Sequence, residues 1–257
     1  MTRVVVWGAG ELGGRVAALR AAAGDAVVAV TRTPARHAAL AAAGATPALA
    51  LPDDLGDDDA LLVALPGTDR QMMAVSSLRE RPPPGRVVLV SSTGFYGSPR
   101  GDVDEETKPG DDAHAGKVAA CEALFAAWAG ARGVILRCGG LYRVGRGPLS
   151  ALAKSGVAPP GPPDKTLALI HYDDAAAAAA AALRHPDPRP VYLAVTPPCP
   201  SRRDFYLAAC VVLGLDLPSF GRPLGGRPAR HVVDRLRADL LPVPAHPRWQ
   251  AALVPEK

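Results

Sequence analysis

With 257 residues, 48% of them hydrophobic and 21% charged, the chain is long enough to bury an ample core and too apolar for disorder. Four scattered cysteines, Cys121, Cys138, Cys199 and Cys210, show neither CxxC spacing nor disulfide-rich density, so they read as reduced thiols in a cytoplasmic protein. A net charge of +4 suits an anionic ligand, but no zinc finger, RNA-binding aromatic pattern or helix-turn-helix signal accompanies it, and no nucleic-acid partner is expected.

The first residues, "MTRVVVWGAG", run straight into a strand, so no export is expected. "ELGGRVAALRAAAG" follows as a helix closed by Gly24, then "AVVAVTR" as a strand and "TPARHAALAAAG" as a helix stopped at Gly44. "TPALAL" is a third strand, "PDDLGDDD" a polar turn and "ALLVALPG" a fourth strand. A helix over Asp69–Leu78 leads to a fifth strand, "RVVLVSS". A long helix covers 111–130, and "GVILRCGGLY" is a sixth strand. Prolines and glycines make 145–163 an irregular connection. Beyond it, "LALIHYDDAAAAAAAALRH" feeds a helix with Asp173 or Asp174 at its start, where a carboxylate meets unsatisfied amides. "PVYLAV" is a further strand, "SRRDFYLAACVVLGL" a helix, and the basic tail has one helical stretch near 230–240. The alanine run 175–182 is shorter than the roughly 20 apolar residues a membrane span needs, so no membrane partner is expected.

Alternating strands and helices, with strands apolar on both faces, predict an α/β fold: a doubly wound parallel sheet of Rossmann type with a small C-terminal substrate-binding lobe. Residues 1–150 form the expected dinucleotide-binding domain. Residues 151–257 form mainly the lobe, with 166–195 returning to the Rossmann core.

"WGAGELGG" places Gly8, Gly10 and Gly13 as GxGxxG between the first strand and the first helix. That spacing serves a tight turn, a close backbone approach to a diphosphate and helix–strand packing. Glu11 and Leu12 open the helix whose amides would face the phosphates. At the end of the second strand Thr31 and Arg32 stand where an NAD-selective fold carries an acid, and Arg36 lies a turn further on. A guanidinium holds a 2′-phosphate that a carboxylate repels, so NADP(H) is favoured over NAD(H). Asp54 and Leu55 are expected beside the adenine, and Leu65 and Pro66 along the cofactor.

Four stretches, "GAGELG", "VLVSSTGFYG", "LRCGGLYRVGRGPL" and "IHYDDAA", occur in this order, and "VYLAVTPPCPSRRDFYLAACVVLGLDLP" follows. In these motifs the chain resembles an atypical extended short-chain dehydrogenase/reductase of the NAD-dependent epimerase/dehydratase family, over nearly its whole length. The resemblance implies that Ser92 orients the substrate oxygen, with Ser91 beside the cofactor. It also implies a Tyr-x-x-x-Lys pair on the next helix, where an ammonium lowers the phenol's pKa from about 10 and the lysine holds the nicotinamide ribose.

This chain departs from that pair. If Lys117 is the family's lysine, Ala113 stands at the tyrosine's position. If Glu122 is matched to the family's glutamate, His114 takes the tyrosine's place and Val118 the lysine's. Three side chains could stand in as proton carrier or cleft wall: His114, Tyr96 in "GFYG" and Tyr142 in "GLY". Asp57, Asp58 and Asp59 read as a solvated turn, and His171 with Asp173 and Asp174 as a helix start, so no metal is expected. No G-x-S-x-G elbow points to a serine hydrolase.

These observations lead to an expected NADP(H)-binding oxidoreductase of biosynthesis, acting on a small metabolite, a carbonyl, alcohol or imine. Ser92, His114, Lys117 and Tyr96 are its expected catalytic residues, and a homodimer is open to it. Two rivals share the fold: a non-redox cyclase, isomerase or dehydratase, and a non-enzymatic NADP(H) sensor.

Overall fold

The computed structural model describes residues 3–159 and 161–254. Along the chain these form β1 (Arg3–Trp7), α1 (Glu11–Ala22), β2 (Ala26–Val30), α2 (His37–Ala42), β3 (Thr46–Ala48), β4 (Ala60–Val63), α3 (Thr68–Leu78) and β5 (Arg86–Ser92). There follow β6 (Asp102–Val103), α4 (Ala113–Ala129), β7 (Gly133–Cys138), β8 (Gly140–Tyr142), α5 (Pro148–Ser155), β9 (Leu169–His171) and α6 (Tyr172–Ala182). The last elements are β10 (Val191–Ala194), α7 (Arg202–Leu213), β11 (Arg230–His231) and α8 (Asp234–Asp239).

Seven strands pair in the order β10-β7-β5-β4-β1-β2-β3, and every pairing is parallel. The chain builds outward from β1 through β2 and β3, then returns to add β4, β5, β7 and β10 on the other side. Strand order therefore reverses between β1 and β4, and a crevice opens there beyond the strands' C-terminal ends.

The β-branched strands are buried on both faces. Val4 and Val6 of β1 pack with Leu12 and Val16 of α1 and with the alanines of α6. Val5 packs oppositely, with Leu61, Val75, Leu78 and Phe125. Full burial of each such side chain stabilises the fold by about 1.5–3 kcal/mol. In α6 the buried alanines let that helix lie close against α1. A separate cluster of Tyr142, Leu149, Leu152, Phe205, Tyr206 and Ala252 forms a smaller core from α5, α7 and the C-terminal 3-10 turn.

Two sequence expectations change. "GVILRCGGLY" is not one strand: the Gly139 amide still bonds to Ala194 of the main sheet, whereas the Gly140 amide bonds to the Ala168 carbonyl. The chain thus leaves the sheet at its C-terminal edge, and β8 pairs with β9 in a sheet of their own. The irregular stretch 145–163 contains α5, whose eight residues are hidden in the sequence by its first residue Pro148 and by Gly147 and Gly156 on either side. Among the described residues no helix is long and apolar enough to cross a membrane.

Candidate active site at the switch point

The glycine loop sits where β1 gives way to α1. The amides of Gly8 and Ala9 both donate to the Val30 carbonyl, at 3.1 and 2.9 Å, which ties the loop to β2. Gly8 has φ +101°, and a Cβ there would lie 2.6 Å from the Ala64 carbonyl oxygen. A Cβ on Gly13 would collide with the Gly8 carbonyl and press on Val6 at 3.0 Å. No side chain caps α1 at Gly10, so its first-turn amides are open donors at a positive helix end. Close backbone and uncapped amides fit a dinucleotide's diphosphate.

Glu11 would oppose an anion here, but its charge is engaged. Arg143 reaches it at 2.8 Å and Arg15 pairs with it as well. Chiefly through Arg143, against the upward push of burial and with Arg15 helping, its carboxyl is held down to about 2.

From the loop a cleft of about 820 Å³ runs along the sheet edge, within the range of ligand sites. One end is lined by Thr31, Arg32 and Leu49–Leu51, the middle by Gly8–Leu12 and Ala64–Pro66, and the other end by Ser91, Ser92, Cys138–Leu141, Arg146 and Tyr172. Glu11 is the one acid in that lining. Thr31 is buried, with its hydroxyl accepting from the Thr33 amide at 3.3 Å, and Arg32 is exposed at the rim. Arg36 donates to the Gly10 carbonyl at 3.1 Å, bracing the glycine loop from outside.

Asp54 and Leu55 do not line this cleft. Asp54 pairs with Arg3 at 3.0 Å, at the start of β1 and so at the opposite sheet edge, because the chain after β3 has already crossed back before β4 begins. Leu55 packs against the core instead. Leu49, Ala50 and Leu51, directly after β3, take the place expected for them.

At the far end the two serines have different roles. Ser91 is buried, and its hydroxyl donates to Glu122 at 2.5 Å. Glu122 is gripped by Arg137, whose Nη2 and Nε donate to Oε2 at 2.8 and 3.0 Å. Arg137 also donates to the Tyr96 hydroxyl and the Glu105 carbonyl, both at 3.0 Å, and lies 3.5 Å over the Phe95 ring. Ser92, by contrast, lines the cleft, and its hydroxyl accepts from the Gly94 amide at 3.0 Å, so its own O–H remains available to donate.

Tyr96 is therefore not available as a proton donor. It is buried within this network, and burial, partly offset by Arg137, pushes its phenol up to about 12. Tyr142 is likewise buried, in the smaller core, and burial raises it to about 12. Lys117 also differs from expectation: its side chain is 64% exposed and stands 3.6 Å from Asp69 of α3, outside the cleft lining. The reason is helical phase. Glu122 and Val118 are buried on one face of α4, and His114 continues that line one turn earlier, whereas Lys117 is rotated about 100° away from Val118.

His114 meets the serine corner. Asp112 caps α4 by accepting from the amides of His114 and Ala115 at 3.0 and 2.9 Å. A Cβ on Gly94 would fall 2.6 Å from His114 Nε2 and 3.2 Å from Ser92 Oγ, so the imidazole and the hydroxyl flank the same backbone.

Sequence reasoning missed Arg146 and Tyr172, although both lie in stretches already singled out, "LYRVGRGPL" and "IHYDDAA". Cys138 lines the cleft, but burial pushes its thiol up to about 12 and makes it inert as a nucleophile. Behind α1, His171 caps α6 through Nδ1, which accepts from the Asp173 amide at 3.1 Å, and its ring stacks on His246 at 3.5 Å. Asp173 lies 3.5 Å from both imidazoles. Asp174 accepts the amides of Ala245 and His246 at 2.7 and 3.1 Å, so this cluster caps a helix and anchors the tail.

No family model matches the chain. It is 32% identical over 184 residues to the protein YeeZ of Escherichia coli K12, a match covering 67% of this chain and 65% of that protein. Among solved structures, the UDP-glucuronic acid 4-epimerase of Bacillus cereus in complex with NAD superposes with a TM-score of 0.73 at 15% identity, over 98% of this chain and 94% of that one. The human epimerase family protein SDR39U1 with NADPH superposes at 0.67 and 21% identity, over 98% and 97%. The chain thus shares the Rossmann-type α/β fold of these epimerase and short-chain dehydrogenase/reductase structures.

Proposed function

We propose that this chain binds a nicotinamide dinucleotide, NADP(H) in preference to NAD(H), and acts as an oxidoreductase on a small metabolite bearing a carbonyl, alcohol or imine. One observation carries the reading: an unbroken cleft from the glycine loop to Ser92, with the His114 imidazole beside that serine just outside the lining. Two of the solved structures that share the fold hold NAD or NADPH. The nicotinamide would supply hydride exchange. Ser92 would hold the reacting oxygen or nitrogen by donating its free proton. His114, whose imidazole can both give and take a proton, would exchange the proton that a tyrosine handles in the family's pattern. Arg32, with no acid beside it in the lining, would take a 2′-phosphate. Calorimetric titration tests the binding half: NADPH should bind more tightly than NADH, and Arg32→Gln should erase the difference. Equal affinity for the two coenzymes in the parent would refute the preference. NADPH consumption across carbonyl and imine panels, lost in His114→Gln, tests the chemical half.

A non-redox reading, cyclisation, isomerisation or dehydration, draws on Val118 at the lysine's position and on the exposed Lys117. Turnover that persists with oxidised or no dinucleotide would favour it.

A further inference from the structure

We propose that the substrate carries a compact oxyanion, a carboxylate or a phosphate, seated between Arg146 and Lys154 in a second cavity that opens off the cleft. The site rests on the reading of the cleft given above for its role, though not for its existence.

The second cavity holds about 390 Å³ and shares Leu141, Arg146 and Tyr172 with the main cleft. Its remaining wall is the turn after β8 and the face of α5 turned away from buried Leu149 and Leu152, with Ser150 and the exposed Lys154, and no acid is among these lining residues. Most arginines meet a carboxylate: Arg3 with Asp54 and Asp59, Arg100 with Asp164, Arg137 with Glu122, Arg143 with Glu11. Arg146 and Lys154 have no carboxylate partner among the described residues.

Arg146 is nonetheless held in place. Its Nε donates to the Tyr172 hydroxyl at 2.9 Å, and Tyr172 is 6% exposed, so the anchor is fixed by the core. That bond occupies the guanidinium's inner edge and leaves the two terminal nitrogens, the pair that grips an oxyanion in a fork. Lys154 adds a second positive charge from α5, and Ser150 a hydroxyl. Two like charges facing one pocket repel each other; an anion between them offsets that repulsion and gains charge-assisted hydrogen bonds. The volume lies at the small end of ligand sites and suits a short acid. Because Arg146 and Tyr172 border both spaces, an acid anchored here extends its other end into the cleft.

The test uses the full chain, with and without NADPH, and follows the melting midpoint against inorganic phosphate, succinate, uncharged butanediol and UDP. Succinate or phosphate should raise the midpoint saturably, and whichever binds more tightly names the oxyanion. Arg146→Gln and Lys154→Gln should each weaken that anion at least about tenfold, the loss of one charge-assisted hydrogen bond. Lys154 also suits the last turn of α5, so the readout is anion affinity and not the midpoint of the free variant. Anion affinity unchanged in Lys154→Gln, or butanediol binding as well as succinate, overturns the proposal. UDP binding more than tenfold tighter than either small anion, and sensitive to Lys154, overturns its compactness. Lys154 lies outside the main cleft, so NADPH affinity should survive its substitution. Lys154-sensitive anion binding in a protein that ignores NADPH would keep the anion site and discard the dinucleotide reading.

Discussion

Replacing Arg137 by methionine tests how the serine end of the cleft is supported. The guanidinium makes three hydrogen bonds to Glu122 and one each to Tyr96 and Glu105, all buried. Methionine fills much of the same space but leaves the Glu122 carboxylate, 4% exposed, with only the Ser91 hydroxyl. Removing one partner of a buried pair costs about 3–5 kcal/mol. At this chain length 1 kcal/mol corresponds to about 2 °C, so the calorimetric midpoint at neutral pH should fall by about 6–10 °C. The pH dependence gives a sharper signature. An unpaired buried carboxylate has its folded pKa raised above the unfolded value of about 4.3, so the folded variant binds more protons than the unfolded chain. The penalty should therefore be full above that raised pKa and shrink as pH falls toward 4.3. Combining Arg137→Met with Glu122→Leu removes the stranded charge and should recover most of the loss. A single variant melting within about 2 °C of the parent, or a penalty that is flat with pH and persists in the double variant, would show that Glu122 is not held as described.

Gly13→Ala should reduce NADPH affinity by more than about a hundredfold in calorimetry, since the added carbon strikes the Gly8 carbonyl and displaces the loop whose amides face the diphosphate. His231 is buried with an unpartnered Nδ1, and burial lowers its pKa to about 4. The unfolded chain, titrating near 6.5, binds the proton first, so stability should be full above 6.5 and fall by about 3 kcal/mol down to pH 4. Urea unfolding of His231→Gln should show that slope flattened. Asp174→Asn retains one acceptor oxygen for two amides, those of Ala245 and His246. Limited proteolysis should then cut the tail faster than in the parent, and unchanged cleavage would count against the anchor.

Much of the architecture follows from short-range pattern. Doubly buried β-branched runs alternating with helices require a parallel sheet, and GxGxxG at the first turn locates the switch-point crevice, because period and turn chemistry are local properties of the chain. Gly8, Gly10, Glu11, Leu12, Thr31, Arg32, Leu65, Pro66, Ser91 and Ser92 all border the cleft found from that pattern. What pattern could not supply was phase and return path. Whether Lys117 or Val118 faces β5 is a matter of one residue, or 100° of helix, and Glu122 settles it by pairing with Arg137 across the core. Asp54 belongs to Arg3, and Tyr96 to the same buried network as Glu122, through partners distant in the chain. Arg146 is set by Tyr172, and His246 reaches His171 only because Asp174 holds the returning tail. Such pairings are selected by the burial and charge balance of the whole molecule, and no window of neighbouring residues contains that information.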